Sequence, residues 1–301
     1  MYFTSSLASF LPPPYEGQLY HQPKGYLVGL ASNEGTVFSF PHQLIMYHSQ
    51  PMYTQIYRLP FSGCRQIRVE STAQVLRQVL DILDPSISNP KVDPDTIFDV
   101  LSIADRYEIS AVRDWFQEAA ITSRTNYLTG VKTKCILQSH PLLVLRCCIH
   151  FKLIPLLYDA AEMVIGYHTS LLNADLDIPE RWGLWIHNEK QKRGRIYARF
   201  VDQINSHWGP TDPSISCTGP CYLHECHGAR SRWIVALERA GRDTPCWKSF
   251  RQAYWNAPSA CSACRVHFPT DCYNLYCTWK KQARSMEHEL AERFRDGCLP
   301  S

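Results

Sequence analysis

Tyr26-Leu27-Val28-Gly29-Leu30-Ala31-Ser32-Asn33-Glu34-Gly35-Thr36-Val37-Phe38-Ser39-Phe40-Pro41-His42-Gln43-Leu44-Ile45-Met46 is the stretch whose reading decides the fold. Tyr26, Val28 and Leu30 alternate as the inward positions of a strand do, and the apolar run resumes at Val37-Phe38-Ser39-Phe40. Between them Asn33-Glu34-Gly35 supplies a turn, with Gly35 free to take positive φ. Pro41 suits a first helical turn, so Pro41 to Met46 reads as the start of a short helix. The spacing predicts a hairpin that runs directly into a helix.

Working outward, a second short helix is expected at Met52–Tyr57, and Ile67 with Val69 marks a third strand. Ser71-Thr72-Ala73-Gln74 fits a capping box, followed by an apolar stripe of Val75, Leu76, Val79, Leu80 and Leu83. Asp93-Pro94 is a cap with proline at the first helical position, and Ile97, Val100, Leu101 and Ala104 continue that helix. A third helix carries Val112, Trp115, Phe116 and Ala119. All these stripes read first as core, because periodic helix faces pack inward. Helices are then expected at Pro141 to Lys152, Ile154 to Leu172 and Trp182 to Trp208, with Ile196, Phe200 and Ile204 on one face of the last. Residues 209–220 read as a linker, and a final helix places Trp279, Ala283, Met286 and Leu290 on one side.

The chain has 301 residues, 45% hydrophobic and 20% charged, with net charge +3, which describes an ordinary soluble globular protein of about two domains. So small a charge does not argue for nucleic acid or acidic lipid. The first 24 residues, rich in Pro, Ser, Tyr and Gln, read as a loose arm without the features of a secretory signal. The apolar stretch Leu142 to Ile149 is too short to span a bilayer, so an intracellular protein, cytoplasmic or nuclear, is expected. Of 13 cysteines, nine fall from Cys217 onward. In a reducing compartment such a cluster points to metal before disulfide.

The order of hairpin, helix pair, strand and three helices over residues 26–120 resembles the BTB/POZ fold. Gly35 to Ile45 is similar to that family's strand-to-helix segment, and Ile67 to Leu83 to its strand and following helix. Leu101-Ser102-Ile103-Ala104-Asp105-Arg106-Tyr107-Glu108-Ile109 is similar to its most recognisable helix end. Residues 140–172 resemble the helical extension that often follows, and the tail is similar to fungal BTB-like proteins with Cys pairs and tryptophans. The resemblance implies an α+β fold: a BTB/POZ-like module at 25–125, a helical extension at 126–208 and a Cys-rich region at 209–301. It also implies protein partners, engaged by homodimerisation, hetero-assembly or recruitment. Co-repressor-recruiting relatives carry an acidic residue in the first strand and a basic one after the His, where this chain has Leu27 and Gln43. Cullin-docking relatives carry a hydrophobic-x-Glu element, yet Arg58 to Arg68 holds no glutamate.

The tail offers the sharpest chemistry. Cys217-Thr218-Gly219-Pro220-Cys221 and Cys261-Ser262-Ala263-Cys264 are pairs whose spacing lets four thiolates, Cys217, Cys221, Cys261 and Cys264, complete a tetrahedron around one structural zinc. Cys261, Cys264, Cys272 and Cys277 form a second such set, and Cys226, His227 and Cys246 are further candidates; reduced thiols are the competing reading. A zinc could contribute on the order of 10 kcal/mol to a region with few aliphatic residues. Lys190, Lys192, Arg193 and Arg195 read as a solvated helix face, not a phosphate-binding one. His224-Glu225-Cys226-His227 matches no hydrolytic pattern, and phosphate loops and nucleophile elbows are missing. The expectation is a non-catalytic protein-interaction protein. The alternatives are a cullin-type ligase adaptor and a zinc-dependent nucleic-acid binder.

Overall fold

A computed structural model describes residues 27–59, 65–125, 132–166, 178–208, 223–257 and 268–295. The expected arm (1–24) and linker (209–220) lie outside the described residues. The chain is mostly helical with a small three-stranded sheet, an α+β composition. It divides into two units at Leu156/Leu157.

In the first unit, β1 (Leu27–Ala31) pairs antiparallel with β2 (Val37–Pro41), Val28 opposite Phe40 and Leu30 opposite Phe38. Gly35 closes the turn at φ +80°, a conformation that costs glycine little. The helix pair follows as α1 (His42–His48) and α2 (Gln50–Tyr57). Pro41 ends β2 and caps α1 instead of opening its first turn; Pro51 takes that place in α2, where its missing N–H costs nothing. The chain then returns as β3 (Gln66–Arg68), parallel to β1, so the strand order is β2-β1-β3. As the central strand, β1 buries every residue after Leu27.

Three helices that pack on one another follow: α3 (Ala73–Leu83), α4 (Ile97–Arg106) and α5 (Ser110–Ile121). The cap of α3 is Thr72, whose Oγ1 accepts from the Val75 N–H at 3.3 Å, one residue later than the expected Ser71. The adjacent Ala73 N–H is taken by the Glu34 carboxylate of the hairpin turn at 3.1 Å, which joins the sheet to the helix start. Asp93 caps a 3-10 turn at Pro94–Thr96 that leads into α4. The inward stripe of α5 is Val112, Phe116 and Ala120; Trp115 and Ala119, expected with it, are only half-buried. Helix α4 ends with Glu108 at φ +53°, where the Ile109 N–H reaches back to the Ala104 carbonyl at 2.8 Å. Two short strands, β4 (Arg124–Thr125) and β5 (Lys132–Thr133), precede α6 (Ile136–Ser139) and α7 (Pro141–His150). The end of α7 repeats that of α4: Lys152 is at φ +55° and the Leu153 N–H bonds Cys148.

Ser49 sits where these elements meet, 2% exposed. Its hydroxyl accepts from the Met52 N–H at 3.2 Å, capping α2, and donates to the carbonyl of Tyr107 at 2.7 Å, at the end of α4.

Helix α8 (Ile154–Ile165) spans the division between the units. The second unit holds α9 (Glu180–Trp208), α10 (Leu223–Asp243), α11 (Trp247–Trp255), α12 (Phe268–Asp271) and α13 (Tyr273–Arg295). Its core is aromatic: Tyr197 and Phe200 of α9 meet Trp233, Phe250, Tyr254 and Trp279. Three of its polar tips have acceptors. Trp233 Nε1 donates to the Tyr254 carbonyl at 3.0 Å, Tyr254 Oη to the Pro269 carbonyl at 2.6 Å and Trp279 Nε1 to Gln203 at 2.5 Å. Gly241 lets α10 approach α9, since a Cβ there would lie 2.7 Å from Cβ of Tyr197. On α13, Trp279, Ala283 and Leu290 are fully buried as the spacing predicts.

Two stability changes follow from the first unit. Ser49→Ala removes the α2 cap and the Tyr107 bond together, so urea unfolding should show a loss of about 2 kcal/mol. Burial, reinforced by neighbouring Asp84, raises the Asp81 carboxyl to about 6. A raised carboxyl favours the folded state while protonated, so its contribution is complete below about pH 4 and is lost as pH rises through 6. Asp81→Asn should therefore stabilise the protein by about 1 kcal/mol at pH 7.5, after allowance for partial solvent screening, and leave stability unchanged below pH 4.

Candidate functional site: an exposed aromatic face and the placement of the charged and cysteine residues

The first unit leaves large apolar side chains in solvent on the elements that open the fold. Leu27 begins β1, Met46 and Tyr47 end α1, and Tyr57 ends α2; Tyr47 is 82% exposed and Tyr57 64%. Rings run along the helix pair: His42 lies 5.5 Å from Tyr53, and Tyr53 lies 6.2 Å from Tyr57. The positions follow from helix phase, because Ile45, Met52 and Ile56 point inward and fix Met46, Tyr47 and Tyr57 outward. Leu27 and Gln43 are both exposed, so this surface presents an apolar and a neutral polar group where the resemblance expects paired charges. Strand β2 lies at the edge of the three-stranded sheet and borders α1. Sequence reading missed this surface, although the signal was present: Met46 and Tyr57 fall one position, and Tyr47 two, beyond the inward Ile45 and Ile56.

The helix end similar to the family's acidic-x-Tyr stretch is structural here. Ala104 is fully buried, Asp105 pairs with Arg113, and the Tyr107 carbonyl receives Ser49.

The basic cluster of α9 departs from the expected solvated face. Lys190 and Arg193 are buried, at 5% and 3% exposure. Arg193 makes a two-pronged pair with Glu162, 2.7 and 2.6 Å, and Glu189 makes another with Arg293, 2.7 and 3.2 Å. Burial lowers the Lys190 ammonium pKa, opposed by Asp243. Only Lys192, 3.7 Å from Glu289, and Arg195 face water. Four cations in six residues span nearly two turns and so point in several directions; two are buried, and Arg193 is a structural ion-pair group.

The four predicted zinc ligands, Cys217, Cys221, Cys261 and Cys264, lie outside the described residues. Among the described residues no three His, Cys, Asp or Glu side chains gather as metal ligands. Of the second cysteine set, Cys272 is a core residue, 1% exposed among the aromatics, and Cys277 is half-buried. Cys246 caps α11, its sulfur accepting from the Ser249 N–H at 3.5 Å. In the first unit, burial pushes the Cys147 thiol up to about 12, which makes it a poor nucleophile. No helix among the described residues is long and apolar enough to cross a membrane.

No known protein family, curated protein or solved structure matches the chain.

Arg193→Met strands the Glu162 carboxylate in a half-buried site and should cost about 3–5 kcal/mol in urea unfolding. Arg193→Met combined with Glu162→Leu should recover most of that loss, and Arg195→Ala should change stability by less than about 0.5 kcal/mol. A solvated basic face would give equal, small effects at both arginines.

Proposed function

We propose that this chain is a non-catalytic protein-interaction protein that acts through its N-terminal α+β unit, with self-association as its first use. The observation that carries this reading is the exposure of Tyr47, Tyr57, Met46 and Leu27 on the elements that open the first unit. Tyrosine and methionine supply contact area at modest entropic cost and are enriched where proteins meet. Exposed apolar groups gathered on neighbouring elements mark such surfaces more often than scattered ones do. The element order of residues 26–120 resembles the BTB/POZ module and supports the same reading. The absence of the Leu27/Gln43 charge pair argues for an apolar contact instead of a charge-directed one.

Sedimentation equilibrium of the full chain tests the proposal. The wild type should associate, and Tyr47→Ser with Tyr57→Ser should shift it to monomer while the melting temperature stays within about 3 °C, since exposed substitutions cost little stability. A monomeric wild type that also captures no protein through Tyr47 and Tyr57 would overturn it.

A further inference from the structure

The second unit carries a different kind of surface, unrelated to the interaction face of the first. Trp255, at the end of α11, is 40% exposed, and Tyr273, at the start of α13, is 51% exposed. Both lean on Tyr276, with ring centroids 5.3 Å and 6.0 Å away, and lie 6.5 Å from each other. Tyr276 in turn rests on Tyr254 at 4.7 Å and Trp247 at 5.3 Å. The outer rings are therefore the last members of a packed stack, held in place from below and partly exposed to solvent.

Beside them is a pocket of about 580 Å³ lined by Trp247, Lys248, Arg251, Gln252, Trp255, Asn256 and Glu287. Lys248, Arg251, Gln252, Trp255 and Asn256 recur at helical spacing along α11 and all are exposed. Helix α11, Trp247 to Trp255, contains two cations and no carboxylate. The composition is specific: flat aromatic faces, two cations, and two side-chain amides that can donate and accept. An apolar protein surface has no use for the amides and cations. A nucleotide unit uses all three, its base on the ring, its phosphate on the cations and its base edge on the amides.

We propose that the face formed by Trp255, Tyr273, Lys248 and Arg251 binds single-stranded nucleic acid, stacking bases on Trp255 and Tyr273 and pairing backbone phosphates with Lys248 and Arg251. Duplexes are excluded because their bases already stack on one another and offer no free face. The lone carboxylate, Glu287, sits in the pocket wall and opposes phosphate.

The test uses the full chain and a fluorescein-labelled 12-nucleotide oligothymidine, read by anisotropy at several salt concentrations. The expected result is micromolar binding that weakens with salt and exceeds binding to a duplex of equal length. Trp255→Ala and Tyr273→Ala should each weaken it by about 5- to 150-fold, the span for one stacked base. Trp255→Phe should restore most of the loss. Lys248→Ala and Arg251→Ala should each lower the slope of log affinity against log salt by about 0.7, one phosphate on a single strand. Glu287→Gln should tighten binding. No binding by the folded wild type at 50 mM salt would overturn the proposal, as would equal affinity for duplex or indifference to both ring variants. Binding of a proline-rich peptide through Trp255, with none of the oligonucleotide, would assign the face to another partner and overturn it too.

Discussion

One hydroxyl, that of Ser49, organises the first unit. Helices α1 and α2 have seven and eight residues, far below the length at which an isolated helix is stable in water. Their persistence depends on tertiary anchors, and Ser49 supplies the polar one: a single oxygen caps α2 and binds the carbonyl at the end of α4. That bond joins residues 58 positions apart and sets the direction in which the helix pair leaves the sheet. Ile45, Met52 and Ile56 then complete the attachment by burial. The outward direction of Tyr47 and Tyr57 is a consequence of those inward contacts.

The second unit solves its packing problem with different material. Residues beyond 209 contain few aliphatics, and the sequence reading looked to zinc to compensate. Aromatic burial offers another route. Phe200 stacks on Trp279 at 5.3 Å and 18°, Phe250 lies against Tyr197 at 4.9 Å, and Trp233 meets Tyr254 at 5.4 Å. Each such ring removes far more apolar area from water than a valine, and the polar tips of Trp233, Tyr254 and Trp279 are satisfied. The bidentate pairs Arg193–Glu162 and Arg293–Glu189 flank this core. Such pairs fix register more than they add stability, since desolvation offsets most of their attraction.

Legibility followed the length scale of the signal. The hairpin, the third strand and the stripes of α3, α4 and α13 were readable because periodicity within one element decides which residues share a face. Cap positions were readable only to within a residue, as Thr72 in place of Ser71 shows: two adjacent hydroxyls have the same chemistry, and the Glu34 carboxylate from the hairpin helped decide between them. Helices α10 and α11 were not legible although Ala229, Trp233 and Leu237 recur every fourth residue, because the many charged and polar residues between them dilute the apolar stripe. The burial of Lys190 and Arg193 was not readable, since it depends on Glu162 and on the approach of α10 at Gly241, both distant in sequence. The BTB/POZ resemblance and the zinc set rest on the residues alone.

The two surfaces differ in how they are tied to stability. Tyr47 and Tyr57 project from helices held by other groups, so their chemistry can change with little effect on the fold. Trp255 and Tyr273 are the outer members of a stack that continues through Tyr276 and Tyr254 into the core. A ligand lying on them adds one more layer to that stack. Because it engages only the folded arrangement, it must raise the stability of the second unit by mass action. An equally tight partner at the first face raises the stability of its own unit just as much, but through contacts the core does not share. Coupling between ligand and core packing is therefore a property of the aromatic stack and not of exposure as such.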